Sequence, residues 1–331
     1  MKDIFKTLFH LTGPADDYRA GFRRCSACHA KIPLDSGEPL HIVNCPSCAC
    51  PEMMPMEVGD YLLIRPLGAG GMGSVYKAVC FSAGGEYAVK ILPRAKREDP
   101  LCIRNIMTEG EVGKLIGRHR NIVPTVACGI ADGEYFLASE YCKGERLDEL
   151  IELNGPFQEK EALNIIIQLT NALFHIANTG YLYRDIKPEN VLLEKNGLAR
   201  LFDFGLCLSL EEAANPDDEV ATFAGSPLFV PPERVVGDSE GEFSDIYTLG
   251  LLFFYILSGR TYYTADEMLE LVKKHVTAIR ISSTGFKLKH CTEHTVAVLD
   301  KMIQRDPEDR YQTFRELIPD IQQAARELHL S

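Results

Sequence analysis

Apolar and polar positions along the chain fall into two periods. From Ser74 to Val79 they alternate with period two and β-branched character, which predicts a half-buried strand. Leu67 to Val75 reads strand, glycine turn, strand, and Tyr87 to Leu92 reads as a further strand carrying Lys90. Leu101 to Ile116 predicts a helix, and Phe136 to Tyr141 an apolar strand running into the polar turn Cys142-Lys143-Gly144. Between Lys160 and Thr179 the period changes. Ile165, Ile166, Leu169, Leu173 and Ile176 recur at the 3.6-residue spacing of a buried amphipathic helix. The longest apolar run, Leu249 to Leu257, is far shorter than the roughly 20 residues that span a bilayer.

The glycine turn narrows the chemistry. Gly68, Gly70 and Gly73 stand at G-x-G-x-x-G spacing, with Gly71 among them. Glycine lets a backbone approach phosphate oxygens and take positive φ without a Cβ clash. A dinucleotide-binding turn would open a helix and need an acidic residue about 20 positions later. The returning strand from Ser74 favours a hairpin instead. Farther on, Tyr183-Arg184-Asp185-Ile186-Lys187-Pro188-Glu189-Asn190 is followed, thirteen residues after Asn190, by Asp203-Phe204-Gly205. Either motif alone recurs by chance. Together, in order and behind the hairpin, they supply the two carboxylates, amide and cation that a transferring phosphoryl group needs.

Over about residues 60 to 320 these motifs resemble the eukaryotic-type (Hanks-type) Ser/Thr protein kinases, most nearly their bacterial branch. The resemblance implies an α+β, bilobal protein-kinase fold with a β-rich N-lobe and a helical C-lobe. It implies transfer of the γ-phosphoryl of ATP to protein Ser/Thr hydroxyls, with autophosphorylation. In the family pattern Asp185 takes the hydroxyl proton, Lys187 beside it marks Ser/Thr specificity, and Asn190 and Asp203 hold Mg²⁺ (or Mn²⁺). Lys90 contacts the α and β phosphates and pairs with a helix carboxylate, Glu109 by spacing, with Glu111 the competitor. Main-chain groups near Glu140 and Cys142 would meet the adenine edge. Leu67, Val75, Ala88 and Leu192 would sandwich the base, and Gly68, Gly70, Gly71 and Gly73 would cover the phosphates.

Gly225-Ser226-Pro227-Leu228-Phe229-Val230-Pro231-Pro232-Glu233 resembles the substrate-positioning end of a kinase activation segment, with Pro231 where alanine is commoner. Glu233, Asp245 and Arg310 are expected to be structural, Arg310 pairing with Glu233. Tyrosine stands at Tyr183 where histidine is commoner. Arg184, just before the catalytic aspartate, implies a cation that needs an anionic partner. Phosphorylated Thr222, on the polar, acidic stretch from Ser209 to Phe223, is the expected partner. Ser226 is the rival site, although its setting suggests a substrate-positioning hydroxyl.

Composition sets limits on these readings. The chain has 331 residues, 46% of them apolar, enough for about two domains and a full core. Its formal net charge of −12 disfavours wholesale binding to nucleic acid or an anionic membrane and mildly suits basic substrates. Eleven cysteines, most of them scattered, suggest a reducing compartment and a cytoplasmic protein. Residues 1 to 12 hold the apolar positions Ile4, Phe5, Leu8 and Phe9, but Asp3 and the lack of a cleavage-like site argue against a signal peptide.

Cys25-x2-Cys28 and Cys45-x2-Cys48, sixteen residues apart, have the spacing of a four-cysteine zinc ribbon. His29, His41 and Cys50 are lesser ligand candidates. A module of about 35 residues buries too little apolar surface to fold alone, so Zn²⁺ is expected to decide its folding. Four Lys/Arg and no Asp/Glu lie between Tyr18 and Leu34, a basic patch suited to contact with the kinase domain or another protein. The expected organisation is an amphipathic segment (1–21), the ribbon (22–52), a linker (53–59), the kinase domain (60–322) and a tail (323–331). A nucleotide-binding pseudokinase scaffold and a small-molecule phosphotransferase are the rivals. The intact Lys90, Asp185, Asn190 and Asp203 disfavour the first, and the Pro-Pro-Glu segment disfavours the second.

Overall fold

The structure, a computed structural model, describes residues 13–70, 73–215, 225–277, 288 and 290–329. Gly71, Thr222 and the apolar positions of residues 1–12 lie outside them. The chain divides into two compact units, one running to Lys114 and including Thr125–Tyr141, the other made of Leu115–Pro124 and everything from Cys142.

In the first unit, helix α1 (Pro14–Arg19) precedes two short hairpins, β1 (Phe22–Arg24) with β2 (Lys31–Pro33) and β3 (Ile42–Asn44) with β4 (Pro51–Met53). β5 (Met56–Val58), β6 (Tyr61–Gly70), β7 (Gly73–Cys80) and β8 (Glu86–Ile91) follow, then helix α2 (Pro100–Ile116), β9 (Thr125–Ala131) and β10 (Glu134–Glu140). The last six strands form one antiparallel sheet in the order β5-β6-β7-β8-β10-β9. Its core gathers Val58, Leu63, Ala78, Val89, Ile91 and Ala138.

The stretch expected to be a linker is ordered. Met53 ends β4, Met54 is buried between the cysteine knuckles, and Met56 to Val58 pair with β6 as the edge strand of the large sheet. The physical reason is apolar burial: Leu40 and Met56 pack on the sheet core, and the Met54 amide donates to the His41 carbonyl (2.8 Å). Part of the basic patch is also paired locally. Arg23 pairs with Glu52, Arg24 with Asp17 (3.0 Å) and Arg19 with Asp16 (3.7 Å). The Arg19 guanidinium and the Tyr18 ring both lie against Phe81 of the sheet unit, 5.1 and 6.3 Å from its centroid.

The second unit is mainly helical. Its elements are β11 (Gly144–Arg146), α3 (Leu147–Asn154), α4 (Glu159–Asn178), β12 (Tyr181–Leu182), β13 (Val191–Glu194), β14 (Ala199–Leu201), β15 (Leu208–Ser209), α5 (Leu210–Ala214), α6 (Pro232–Val236), α7 (Glu242–Ser258), α8 (Met268–Thr277), α9 (Glu293–Met302) and α10 (Phe314–Glu327). All five apolar positions read on α4 are buried. Helix α7 is buried nearly all round, as expected of the central element of a helical core. The expected tail begins inside α10, because the apolar stripe Leu317, Ile321, Ala324, Ala325 continues to the helix end. Among the described residues no helix is long and apolar enough to cross a membrane.

Candidate active site

In the sheet unit, β7 and β8 pair with Val75 opposite Lys90. That register lays the strand leaving the glycine turn directly across the lysine. A Cβ on Gly73 would sit 2.9 Å from the Ile91 carbonyl oxygen and 3.2 Å from Lys90 Cγ, so only glycine lets the hairpin close there. Lys90 Nζ donates to Glu109 Oε2 at 2.7 Å, and both side chains are largely buried. Glu109, not Glu111, is therefore the carboxylate facing the lysine. Gly68 and Gly70 lie on β6, Ala88 on β8 and Glu140 at the end of β10, whose neighbour Tyr141 donates its amide to the Glu86 carbonyl (3.2 Å). Leu67 is 40% exposed, as a residue lining a binding surface can be.

In the helical unit, the catalytic-loop residues form one hydrogen-bonded cluster. Asp185 is 7% exposed, and its Oδ2 accepts from Lys187 Nζ (2.8 Å) and Asn190 Nδ2 (2.7 Å). Asn190 Nδ2 also donates to the Asp185 carbonyl (3.0 Å), which fixes the amide and leaves its carbonyl oxygen as the group available to a cation. Asp203 adopts φ 69° and Arg184 φ 66°, positions where a non-glycine residue is costly and which cluster at functional sites. The Asp203 turn is closed by the Gly205 amide donating to Asp203 Oδ1 (3.2 Å). Two ties join the aspartate loops: the Phe202 amide donates to the Asn190 carbonyl (3.2 Å), and β12 pairs with β15. Tyr183, the departure from histidine, adds a third: its buried hydroxyl donates to the Phe202 carbonyl, and its ring meets Phe204 edge-on at 6.0 Å.

Asp245 anchors this loop from α7, its carboxylate accepting the amides of Tyr183 (2.8 Å) and Arg184 (2.9 Å). Full burial raises its pKa to about 6 against the lowering effect of those two bonds. Arg310 makes a bidentate bond to Glu233 (2.8 and 3.0 Å), with both side chains almost fully buried. Its remaining donors go to the carbonyls of Gln304, Arg305 and Phe243, and its guanidinium lies 4.5 Å from the Tyr247 ring centroid. Cys142 bonds Glu194 (3.5 Å), and Leu192 lies on β13. The Ser226 carbonyl accepts the Phe229 amide (3.0 Å), and buried His275 bonds the Pro227 carbonyl through Nε2 (3.1 Å). No local motif announces that histidine, 48 residues downstream.

The four knuckle cysteines converge as well. Their sulfurs lie within 4.8 Å of one another, with Cys25–Cys48 and Cys28–Cys45 each 3.6 Å apart. A tetrahedral ion with Zn–S near 2.3 Å has sulfurs about 3.8 Å apart, so the set fits one. The two knuckles repeat the same turn. Cys25 and Cys45 donate their amides to Ala30 and Cys50, while His29 and Ala49, both at positive φ, donate back to Cys25 and Cys45. Within the cluster the Ser47 backbone amide lowers the Cys45 thiol, while Cys48, against the pull of the Cys50 backbone amide, is pushed up by the neighbouring thiols. His29 is exposed and His41 pairs with Glu38 (3.5 Å), so neither joins the cluster, whereas Cys50 lies near Cys25 and Glu52.

The glycine hairpin and the lysine–glutamate pair of the sheet unit, and the two aspartate loops of the helical unit, are the motif set of a protein kinase domain. The chain belongs to the protein kinase domain family, which residues 61–322 match. It is similar to the serine/threonine-protein kinase PrkC of Bacillus subtilis, with 32% identity over 266 residues, 80% of this chain and 40% of that protein. It is also similar to the serine/threonine-protein kinase PknB of Mycobacterium tuberculosis, with 27% identity over 272 residues, 81% of this chain and 43% of that protein. The chain thus spans about two fifths of the length of these relatives.

Proposed function

We propose that the chain transfers the γ-phosphoryl of ATP, with Mg²⁺ or Mn²⁺, to Ser/Thr hydroxyls of proteins, itself included. The observation that carries this reading is the cluster in which Lys187 and Asn190 both donate to one oxygen of a 7%-exposed Asp185. Two donors on Oδ2 orient the carboxylate and leave its other oxygen to take the hydroxyl proton. The Lys187 ammonium, beside the same site, offsets charge that develops on the transferred group. Lys90, braced by Glu109, would hold the α and β phosphates. The Asn190 carbonyl oxygen and Asp203 would hold the divalent cation, whose bound form neutralises phosphate charge. The apolar Leu67, Val75, Ala88 and Leu192 and the main chain of Glu140 and Cys142 would take the base.

The Cys25, Cys28, Cys45 and Cys48 cluster is part of the same proposal as a structural Zn²⁺ site. Four thiolates close the coordination shell, so the ion would stabilise the fold and carry no reaction. Its thiols require a reducing compartment, in keeping with a cytoplasmic protein. The test of the catalytic reading is labelled ATP and Mg²⁺ with the purified chain and a protein substrate, followed by phosphosite mapping. Phosphoserine or phosphothreonine is expected, and Asp185→Asn should lower the rate by about 10²–10⁴-fold, the usual loss with a general base, while ATP still binds. Full activity in Asp185→Asn would refute the assignment of the base.

A further inference from the structure

One buried carboxylate beside the catalytic loop has no part in the chemistry above. Glu240 stands between α6 and α7, is 7% exposed and donates its amide to the Ala213 carbonyl (2.8 Å). Its Oε1 accepts from Arg184 NH2 at 2.7 Å. Its Oε2 accepts from Arg234 Nε (3.0 Å) and NH2 (2.7 Å). Arg234 NH1 in turn donates to the Arg184 carbonyl oxygen at 2.7 Å. Two guanidinium groups and one carboxylate thus close a ring on the residue that precedes Asp185. The Arg184 amide is held separately by Asp245 (2.9 Å). Arg184 therefore meets a partner at its amide, carbonyl and guanidinium, which is how its φ of 66° is held.

The electrostatics suit a permanent anion. Burial alone would raise the Glu240 carboxyl, but the bonds and charges of Arg234 and Arg184 outweigh it and hold the group below the usual range. Bonds from guanidinium to carboxylate are also roughly twice as strong as neutral ones. An arginine in this position needs an anion, and that anion is already covalently part of the chain.

We propose that Glu240 is a positioning residue that holds the catalytic loop through Arg184 in place of an activation-segment phosphate, so that the enzyme works without being phosphorylated. The proposal rests on the kinase reading. A phosphate would bring about −1.5 to −2 charges and three acceptors, against one charge and two acceptors for the carboxylate. Arg184 Nε is buried with no hydrogen-bond partner among the described residues. A phosphate would thus extend an existing network and raise the rate only a few-fold.

The test uses the full chain freed of phosphate by co-expression with a phosphatase, checked by intact mass, and followed through the first turnovers with Mg-ATP and a protein substrate. The wild type should start without a lag, at a rate within about threefold of the autophosphorylated protein. Glu240→Gln keeps the shape and removes the charge. In the phosphate-free state its kcat should fall about 10- to 100-fold, the scale of a slightly misplaced catalytic group, with ATP Kd and substrate KM changed less than about threefold. Glu240→Asp, which keeps the charge, should recover part of the loss. A full kcat in phosphate-free Glu240→Gln overturns the proposal. So does a wild type that is active only after a lag or only when phosphorylated, a result that needs no variant to fold. A wild type inactive in both states, by contrast, overturns the kinase reading itself.

Discussion

Gly110 sits on α2 one residue after Glu109, on the face turned to the sheet. A Cβ added there would lie 2.4 Å from Cys128 Cβ, 2.7 Å from Cys128 Sγ and 3.5 Å from Leu137 Cδ1. Carbon atoms rest about 3.5–4.0 Å apart, so Gly110→Ala must push the helix from the sheet by about 1 Å. That shift takes Glu109 with it and opens the 2.7 Å bond to Lys90 beyond hydrogen-bonding distance. A 1 Å misplacement near a reacting centre costs up to about 10²-fold in rate, and overpacking a core costs about 1–3 kcal/mol. The expected result for Gly110→Ala is therefore a loss of about 100-fold in kcat/KM for substrate phosphorylation with a modest drop in Tm. Because the clash is with the Cys128 side chain, Gly110→Ala/Cys128→Gly should recover much of the activity. An active Gly110→Ala, or a loss that Cys128→Gly leaves untouched, would refute this account of how α2 is seated.

Other outcomes follow from the helical unit and the knuckles. Arg310→Leu leaves Glu233 buried without its partner and should cost about 3–5 kcal/mol in a denaturant melt; an unchanged midpoint would contradict the pairing's structural role. Asp245 titrates near 6 in the folded chain and about 3.9 unfolded, so its contribution to stability is fully present below about pH 4 and is lost as pH rises through 6. Relative to Asp245→Asn, the wild type should gain on the order of 1 kcal/mol between pH 7.5 and 5, and a flat difference in melting free energy would rule the shift out. Native protein should contain one zinc per chain by metal analysis, and Cys45→Ser/Cys48→Ser should lose it; unchanged metal content in that variant would exclude the cysteine site.

The parts of the site legible in sequence are those whose chemistry is local. Asp185, Lys187 and Asn190 sit within six residues, so their spacing already implies one loop, and Lys90 and Glu109 are joined by a single strand-to-helix step. The knuckle cysteines announce themselves for the same reason. What stayed hidden is long-range or depends on packing. Arg184 and Glu240 are 56 residues apart and Tyr183 reaches Phe202 across 19. No periodicity carries such pairings. The Met-Pro stretch after the second knuckle has linker composition, and only the cavity that Met54 fills and the unpaired edge of β6 give it a fixed conformation. Gly110 reads as a weak point in a helix until Cys128 is set against it.

The pairing of β5 with β6 means that the recurrent family segment and the six-stranded sheet of this chain have different borders. A fragment starting at residue 61 would keep every motif of the active site yet lose Met56 to Val58, leaving β6 with a bare main-chain edge and a gap where Val58 stood in the sheet core. Bare edges of this kind recruit other chains. Strand β5, which follows the cysteine module, is thus a selvedge for the sheet that carries Lys90, and exchanging the module between kinases would require placing the seam upstream of β5.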